Sequence, residues 1–379
     1  MNILVVANGI PKKSGEINGI FAFDQAKALS NEGVNVFFAV IDTRSIRHIR
    51  KFGFYKYVKD GIPVYECSIP VGRVPTDVLL KMIILGLKII YREISHDGIK
   101  IDIVHTHFYE MTYAASYLKE KYQYKLVATE HYSAFVNPEN KNRASLIKRA
   151  SIAYQNVDCL IAVSGALANV IRNECHKNVV VIHNILDVSS FGKCNPSHNH
   201  EYIRFISVGR LTPQKNYPLL IESFRKAHDV NKNIRLDIYG DGELRKTLQN
   251  LIHENDADEY IVLHGATQRG KIGQEMQKAE CFILLSNFET FGVVYIEAMA
   301  AGLPVIATKC GGPSDFVNCE NGIIIECGNK NEAVNAILNM AENYMGYDSK
   351  KISASSRSEF SPQTIANSII TQYLRVMKQ

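Results

Sequence analysis

Short apolar runs alternate with stretches of helical periodicity along almost the whole chain. Continuous runs rich in β-branched residues are typical of parallel strands that are covered on both faces. The runs are NILVVAN, NVFFAVI, IDIVHTH, KLVATEH, CLIAVS and NVVVIHN in the first half, then IRFISVG, IRLDIYG, YIVLHG, CFILLS, LPVIAT and NGIIIE. Helical stretches such as 21–31, 110–120, 141–156 and 166–174 separate them. The alternation predicts βαβ units and a doubly wound α/β sheet in each half.

The pattern is interrupted once, by the polar segment DVSSFGKCNPSHNHEY at 187–202. A chain of 379 residues is also long for a single core. We therefore predict an N-terminal domain at 1–186 and a C-terminal domain at 187–360. A last helix at 361–379, opened by Ser361 and Pro362, is expected to pack back on the first domain. Rossmann-like sheets bind ligands at the carboxyl ends of their strands, so functional residues are expected directly after strands.

Composition excludes several classes of protein. The net charge of +5 is modest, and there is no dense Lys/Arg block of the kind that nucleic-acid-binding arms carry. The eight cysteines are scattered without a CxxC spacing, which argues against a zinc site and a disulfide framework. The start MNILVVANG lacks the features of a signal peptide, and no run reaches the ~20 apolar residues of a membrane span. These features predict a reduced, cytoplasmic protein.

The first strand leads into a glycine-containing loop, ANGIPKKSGEINGIFAFDQA. Gly15 and Gly19 lie at the entry to a helix, where free backbone N–H groups suit an anion. The spacing is not G-x-G-x-x-G, and no acidic residue closes the second strand as in NAD-binding proteins. A flexible loop before a helix explains this stretch equally well, and a nicotinamide-dependent oxidoreductase is disfavoured but stays open.

A second glycine loop, GRLTPQK, follows the first strand of the C-terminal half. Gly209 permits close backbone approach, and Arg210 and Lys215 on a strand-to-helix loop can bracket a diphosphate. Taken alone, the same residues also fit a solvated basic loop.

Two carboxylates occur eight positions apart in the apolar stretch NFETFGVVYIEAMAAG. Glu289 lies in a loop, and Glu297 falls in the second turn of the helix that opens at Phe291-Gly292-Val293. Acidic side chains are seldom buried without partners. Sugar and ribose hydroxyls, donating hydrogen bonds to these acids, would explain both positions without a metal.

Together these motifs resemble glycosyltransferase family 4, with the GT-B fold of two facing Rossmann-like domains and a cleft between them. The likeness covers nearly the whole chain, and its most specific part is the pair Glu289/Glu297 with FG after the first acid. The resemblance implies that Arg210 and Lys215 hold the donor diphosphate. It also implies that Glu297 binds the ribose and that Glu289 contacts the transferred sugar. Backbone amides near Phe291, Gly292 and Val293 are expected to help hold the sugar and the phosphates.

In the N-terminal half, the resemblance places His131 of TEHYS near the transferred sugar and Gly19 in a loop that closes on the diphosphate. Without this resemblance, a histidine at the position of His131 would more often have a purely structural role. The chain departs from the family pattern at Asn18-Gly19, where Gly-Gly is common, and at HNILD, which lacks a glycine after Asn184. The family chemistry retains the anomeric configuration and stabilises the departing diphosphate by fixed charges. No D-x-D-like metal site lies in a plausible loop, so no metal and no cofactor beyond the sugar donor is expected.

The donor is expected to be a UDP-linked hexose or N-acetylhexosamine, with GDP-mannose as the alternative. A non-catalytic carbohydrate-binding relative also stays open, although the intact Arg210, Lys215, Glu289 and Glu297 argue against it.

The expected acceptor is a glycan or a lipid-linked saccharide of surface polysaccharide assembly. This expectation rests on DVLLKMIILGLKIIYR at 77–92, a helix whose Lys81, Lys88 and Arg92 form one stripe, and on the basic, aromatic stretch 44–59. The helix suits burial in the domain or attachment to an anionic membrane surface about equally. Peripheral attachment to the inner face of the cell membrane is therefore predicted.

Overall fold

The computed structural model describes residues 1–12, 18–45, 47, 51–187 and 201–379. These residues form two compact units, Met1–Ile185 together with Pro362–Gln379, and Leu186–Ser361. Gly15, most of the polar segment 187–202 and four positions of the basic stretch 44–59 lie outside the described residues.

The N-terminal unit is built on a sheet of eight strands in the order β3-β4-β2-β1-β5-β6-β7-β8. The strands are β1 Asn2–Ala7, β2 Asn35–Asp42, β3 Gly53–Lys59, β4 Ile62–Ser68, β5 Ile103–His107, β6 Lys125–Glu130, β7 Cys159–Ala162 and β8 Val180–Val181. Its helices are α1 Ile20–Asn31, α2 Thr76–His96, α3 Tyr109–Tyr122, α4 Arg143–Ala153 and α5 Gly165–Cys175. Neighbouring strands are parallel except for β3 and β4.

Alternate residues of the central strand β1 point into two different cores. Ile3 and Val5 belong to the core shared with α1, and Leu4 and Val6 to the core shared with α2 and α3. Because both faces of the strand are covered by helices, its sequence is continuously apolar, as the pattern predicted.

The β3–β4 hairpin is absent from the sequence prediction, which assigned 44–59 as a whole to a membrane-facing basic stretch. Asp60 and Gly61 join the two strands with φ of 49° and 79°. Positive φ at both central residues is the geometry of a type I′ turn, for which Asp-Gly is a preferred pair. The second part of that stretch is therefore the edge strand of a sheet.

The C-terminal unit contains a fully parallel sheet of six strands in the order β11-β10-β9-β12-β13-β14. The strands are β9 Ile203–Val208, β10 Ile234–Tyr239, β11 Ile261–Gly265, β12 Cys281–Ile283, β13 Val305–Thr308 and β14 Gly322–Ile325. The helices are α6 Tyr217–Val230, α7 Arg245–Glu254, α8 Arg269–Met276, α9 Val293–Ala300, α10 Lys330–Asn343 and α11 Ser349–Glu359. All six strands correspond to the apolar runs of the second half.

The last helix, α12 Pro362–Met377, belongs to the N-terminal unit. Its apolar face joins the core that α1 and β1 share, with Ile365, Ile369 and Tyr373 buried.

Helix α2 packs into the N-terminal core along one face, where Ile83, Leu87 and Ile90 are almost fully buried. The outer face carries Val78, Lys81, Leu85 and Arg92, all exposed. The helix is thus a core element with a mixed apolar and basic outer stripe. Within the described ranges, no helix combines the length and apolarity needed to cross a bilayer.

Candidate active site

Two loops of the C-terminal unit are fastened to each other at the carboxyl ends of the adjacent strands β9 and β12. The amide N–H of Asn287 donates to the carbonyl of Gln214 over 2.8 Å, and the Gln214 side chain donates to the carbonyl of Phe288 over 3.0 Å. The Asn287 side chain donates to the carbonyl of Pro213 over 3.0 Å. These bonds hold the GRLTPQK loop against the loop that carries Glu289.

The ammonium of Lys215 forms an ion pair with the carboxylate of Glu289. The hydroxyl of Ser286 donates to the same Glu289 oxygen over 2.8 Å. Glu289 is only 5% exposed, and its backbone is anchored by bonds to Cys310 and Gly312. Arg210 lies on the same loop as Lys215 and is exposed. The structure therefore brings together Lys215 and Glu289, 74 positions apart in the chain.

Glu297 has its own cationic partner, Arg269, at the first position of α8. The Nε of Arg269 donates to Glu297 Oε1 over 3.1 Å, and its Nη1 donates to Asp187 over 3.2 Å. Burial raises the pKa of Glu297, and the Arg269 guanidinium opposes that shift. Sequence reasoning missed Arg269, although its place a few residues after β11 fits the rule that functional residues follow strands.

The start of α9 offers backbone amides at the position predicted for sugar and phosphate contacts. Gly292 caps the helix with φ 92° and ψ 58°, a left-handed conformation that favours glycine. A Cβ there would lie 2.8 Å from the Tyr295 ring. The Phe291 side chain is buried against Phe316 and Phe360, so only its backbone is available to a ligand. Val293, the first helical residue, is half-buried.

His131 follows β6 in the N-terminal unit and is almost buried. Its Nε2 lies 2.9 Å from Nδ1 of His107, and its ring stacks on Phe21 and is tilted against Phe108. Its Nδ1 is buried without a hydrogen-bond partner among the described residues. Burial lowers the pKa of His131 to about 4, although the nearby Asn184 side chain opposes the shift. The imidazole is therefore neutral at pH 7, and the side chain near its Nδ1 is that of Asn184.

The two remaining predicted glycines lie where a side chain would not fit easily. Gly19 precedes α1 with φ 72°, and a Cβ there would lie 2.0 Å from the carbonyl oxygen of Gly9. A Cβ on Gly209 would lie 3.0 Å from the Tyr217 hydroxyl. Both loops are therefore shaped by close approach of the backbone to its neighbours.

The described residues contain no group of three or more His, Cys, Asp or Glu side chains placed to hold a metal ion. That the reaction needs no metal ion stays a prediction, because the placement of side chains does not test it.

Two family models match successive parts of the chain. The model for Glycosyltransferase Family 4 matches residues 19–190, and the model for Glycosyl transferases group 1 matches residues 194–358. The chain is also similar to a solved structure, Anabaena HepE in complex with UDP, with a TM-score of 0.75 and 17% identity. That comparison covers 99% of this chain and all of the other, and it shows the fold.

Curated relatives are similar over shorter stretches. An uncharacterized glycosyltransferase of Methanocaldococcus jannaschii is 28% identical over 245 residues, 64% of this chain and 66% of that protein. The alpha-monoglucosyldiacylglycerol synthase of Acholeplasma laidlawii is 32% identical over 180 residues, 46% of this chain and 44% of the relative. In both, the match spans less than two thirds of the relative's own length.

Fold and family agree on the class of protein: this is a GT-B glycosyltransferase. The chain belongs to glycosyltransferase family 4, as its motifs predicted. The family assignment decides against the nicotinamide-dependent oxidoreductase.

Proposed function

We propose that the protein is a retaining glycosyltransferase that moves a hexose or N-acetylhexosamine from a UDP-sugar to a glycan or lipid-linked acceptor in surface polysaccharide assembly. The observation that carries this proposal is the Lys215–Glu289 pair. It joins the predicted diphosphate loop to the predicted sugar loop within one unit. The UDP in the HepE structure supports a uridine donor, and GDP-mannose is the alternative donor.

The donor contacts follow from charge and position. Arg210 and Lys215 neutralise the diphosphate, and the need for them grows as negative charge develops on the leaving group. Lys215 then shares its ammonium between Glu289 and a phosphate oxygen. Amides at the start of α9, from Gly292 and Val293, add donors at the positive end of a helix.

The two acids have different roles. Glu297 accepts hydrogen bonds from the ribose hydroxyls, while Arg269 orients its carboxylate and opposes the rise in its pKa that burial causes. Glu289, fixed by Lys215 and Ser286, accepts from a hydroxyl of the transferred sugar. Neither acid is required as a covalent nucleophile. The acceptor is deprotonated with the help of the leaving phosphate on the same face of the sugar, which retains the configuration.

In the N-terminal unit, neutral His131 supplies Nδ1 to a sugar hydroxyl, and the loop at Gly19 contributes backbone N–H groups to the diphosphate. A neutral imidazole can donate or accept one hydrogen bond without placing a positive charge beside the oxocarbenium-like sugar. No metal ion takes part in this scheme, because the fixed cations and helix amides balance the diphosphate charge.

The test of the donor proposal is a thermal-shift series with UDP, GDP and ADP sugars. A ligand bound only by the folded state raises the melting temperature, by an amount that grows with the ratio of its concentration to Kd. The largest shift is expected with UDP-sugars, and it should shrink in Glu297→Gln. The matched control is Glu326→Gln, which changes an exposed glutamate of the same unit. A larger shift with GDP-mannose would establish the alternative donor, and no shift with any nucleotide would contradict the proposal.

The outer stripe of α2 supports peripheral membrane attachment near the acceptor. Val78 and Leu85 are 42% and 46% exposed beside the exposed cations Lys81 and Arg92. Exposed apolar groups flanked by cations are suited to an anionic interface. The relative from Acholeplasma laidlawii is named as a synthase of a glycolipid, which agrees with a lipid-linked acceptor.

Co-sedimentation with vesicles of increasing anionic lipid content tests this attachment at low and high salt. Binding should rise with anionic lipid, weaken in salt, and fall in a Lys81→Glu/Arg92→Glu variant but not in Lys350→Glu, an exposed lysine of the other unit. Binding that ignores lipid charge, or its absence, would favour a soluble acceptor.

A further inference from the structure

Three buried histidines lie at the carboxyl ends of the adjacent strands β5 and β6. His105 and His107 are two positions apart on β5 and therefore share one face of the sheet, and His131 directly follows β6. Both ring nitrogens of His105 have partners, the Tyr373 hydroxyl at 2.5 Å and the Thr129 hydroxyl at 2.7 Å. His107 differs, because its one side-chain hydrogen bond within the described residues is to His131.

The bond between His107 and His131 runs in the planes of both rings. Nδ1 of His107 lies 2.9 Å from Nε2 of His131, and the ring centroids are 5.1 Å apart with 16° between the planes. The nitrogen–nitrogen distance and the two ring radii account for nearly all of that separation, so the rings lie side by side. This is the straight geometry of a good hydrogen bond. His107 is fully buried and His131 is 9% exposed, so only His131 can meet a ligand.

Both imidazoles are neutral at pH 7. Burial lowers the pKa of His131 to about 4 and that of His107 well below its ordinary value. A neutral imidazole carries one proton, so one of its nitrogens is a donor and the other an acceptor. The direction of the bond between the two rings therefore decides which nitrogen of each ring is protonated.

The surroundings of the outer nitrogens favour donation from His107 to His131. If His131 donated instead, the proton of His107 would lie on Nε2, which is buried and has no partner among the described residues. Buried N–H groups without an acceptor are rarer than under-used acceptors. Donation from His107 leaves the proton of His131 on Nδ1, near the Asn184 side chain. Asn184 acts to raise the pKa of His131, the direction expected when an amide oxygen faces an imidazole N–H.

The ring of His131 is also held by an unusual backbone conformation next to His107. Phe108, which joins β5 to α3, has φ 70° and ψ 146°. Positive φ is a genuine outlier for a bulky residue, and such strain persists only where the surrounding structure imposes it. The Phe108 amide donates to the carbonyl of Thr129 over 3.1 Å, and its ring lies 5.3 Å from that of His131. His107 and Phe108 thus fix the imidazole of His131 from two sides.

We infer that His107 is a positioning residue for glycosyl transfer: it donates from Nδ1 to Nε2 of His131 and so keeps the proton of His131 on Nδ1, as a donor to an oxygen of the transferred sugar. This inference rests on the proposed function and deepens it, because it gives His131 the role of donor. Without His107, the proton of His131 is free to move to Nε2, and Nδ1 then offers the sugar a lone pair in place of a proton.

The experiment begins with NMR of the full chain carrying ¹⁵N-labelled histidine, since the shifts of the two ring nitrogens show which one is protonated. The signals of His107 and His131 are identified by their absence in His107→Asn and His131→Asn. In the wild type, both residues should carry the proton on Nδ1. His131 should keep this form in His107→Asn, whose amide can still donate, and should lose it at least in part in His107→Leu.

Turnover of UDP-sugars by the same variants tests the consequence for catalysis. His107→Leu should lower turnover on the order of tenfold, the scale of one neutral hydrogen bond, and His107→Asn should largely restore it. UDP itself should bind all variants with wild-type affinity, which also shows that they are folded. The matched control is Tyr373→Phe, which removes the hydroxyl bonded to His105 and should change neither turnover nor the proton position on His131.

The outcomes separate this inference from the proposed function. A wild-type spectrum with the proton of His131 on Nε2 overturns the inference, even where His107→Leu does not fold, and leaves the proposed function standing. Equal turnover by the wild type and His107→Leu overturns it as well, and so does an equal loss in His107→Leu and His107→Asn when both bind UDP. No turnover of any UDP-sugar by folded wild type overturns the proposed function, and with it the catalytic role given to His107.

Discussion

Replacing Lys215 by Ala should destabilise the C-terminal unit as well as impair catalysis. Glu289 is 5% exposed, and among the described residues its carboxylate keeps only the hydrogen bond from the Ser286 hydroxyl once the ammonium is gone. Removing one partner of a buried ion pair costs about 3 kcal/mol or more, because the remaining charge has lost its compensation. For a unit of this size, about 3 kcal/mol corresponds to a fall in melting temperature of roughly 6–12 °C.

Thermal unfolding followed by circular dichroism measures the effect. The double variant Lys215→Ala/Glu289→Gln should recover much of the loss, since the uncompensated charge is removed. Lys309→Ala, which breaks an ion pair between exposed residues of the same unit, should leave the melting temperature unchanged. A Lys215→Ala protein that melts within 1 °C of the wild type would refute the buried pair.

The double variant also separates stability from catalysis. Turnover should remain on the order of 10²-fold below wild type even where the melting temperature recovers, because the charge that stabilises the leaving diphosphate is still absent. Recovery of turnover together with stability would show that Lys215 is only structural.

Three further predictions follow from the same contacts. In calorimetry, Glu297→Ala should weaken the binding of UDP itself, whereas Glu289→Ala should leave UDP binding unchanged and weaken the binding of the UDP-sugar. Equal losses of affinity for both ligands in both variants would show that the roles are wrongly assigned. Burial lowers the pKa of His105 to about 3 and that of His131 to about 4, so the unfolded chain binds protons that the fold excludes. The contribution of these histidines to stability should therefore be level above pH 6.5 and fall as the pH drops towards 4, and His131→Gln should reduce that fall. Turnover should survive dialysis against EDTA, and an activity restored only by added divalent cation would contradict the metal-free scheme.

The central architecture was accessible from the sequence because both sheets are covered on both faces. The sequence of a strand such as β1 is then a continuous apolar run, which is easy to recognise. The hairpin β3–β4 was missed for the opposite reason: one strand is at the edge, so its lysines and tyrosines resemble a basic surface segment. The Asp60-Gly61 pair was the available signal.

The candidate site was only partly predictable. Glycine loops and acids after strands indicated Lys215, Glu289 and Glu297 one by one, but pairing depends on which strands are neighbours in the sheet. Because β9 and β12 are adjacent, Lys215 meets Glu289 across 74 positions. Arg269 carried no local signal beyond its place after β11, and its partner Glu297 lies 28 positions further on.

The most direct test of the central claim is the release of UDP from UDP-sugars by the purified protein, measured with and without a glycan or lipid-linked acceptor. The account predicts release that the acceptor stimulates and that falls on the order of 10²-fold in Arg210→Ala, a variant of an exposed residue that should fold normally. Equal release by the wild type and Arg210→Ala, or no release from any UDP-sugar by folded wild-type protein that binds UDP, would contradict it.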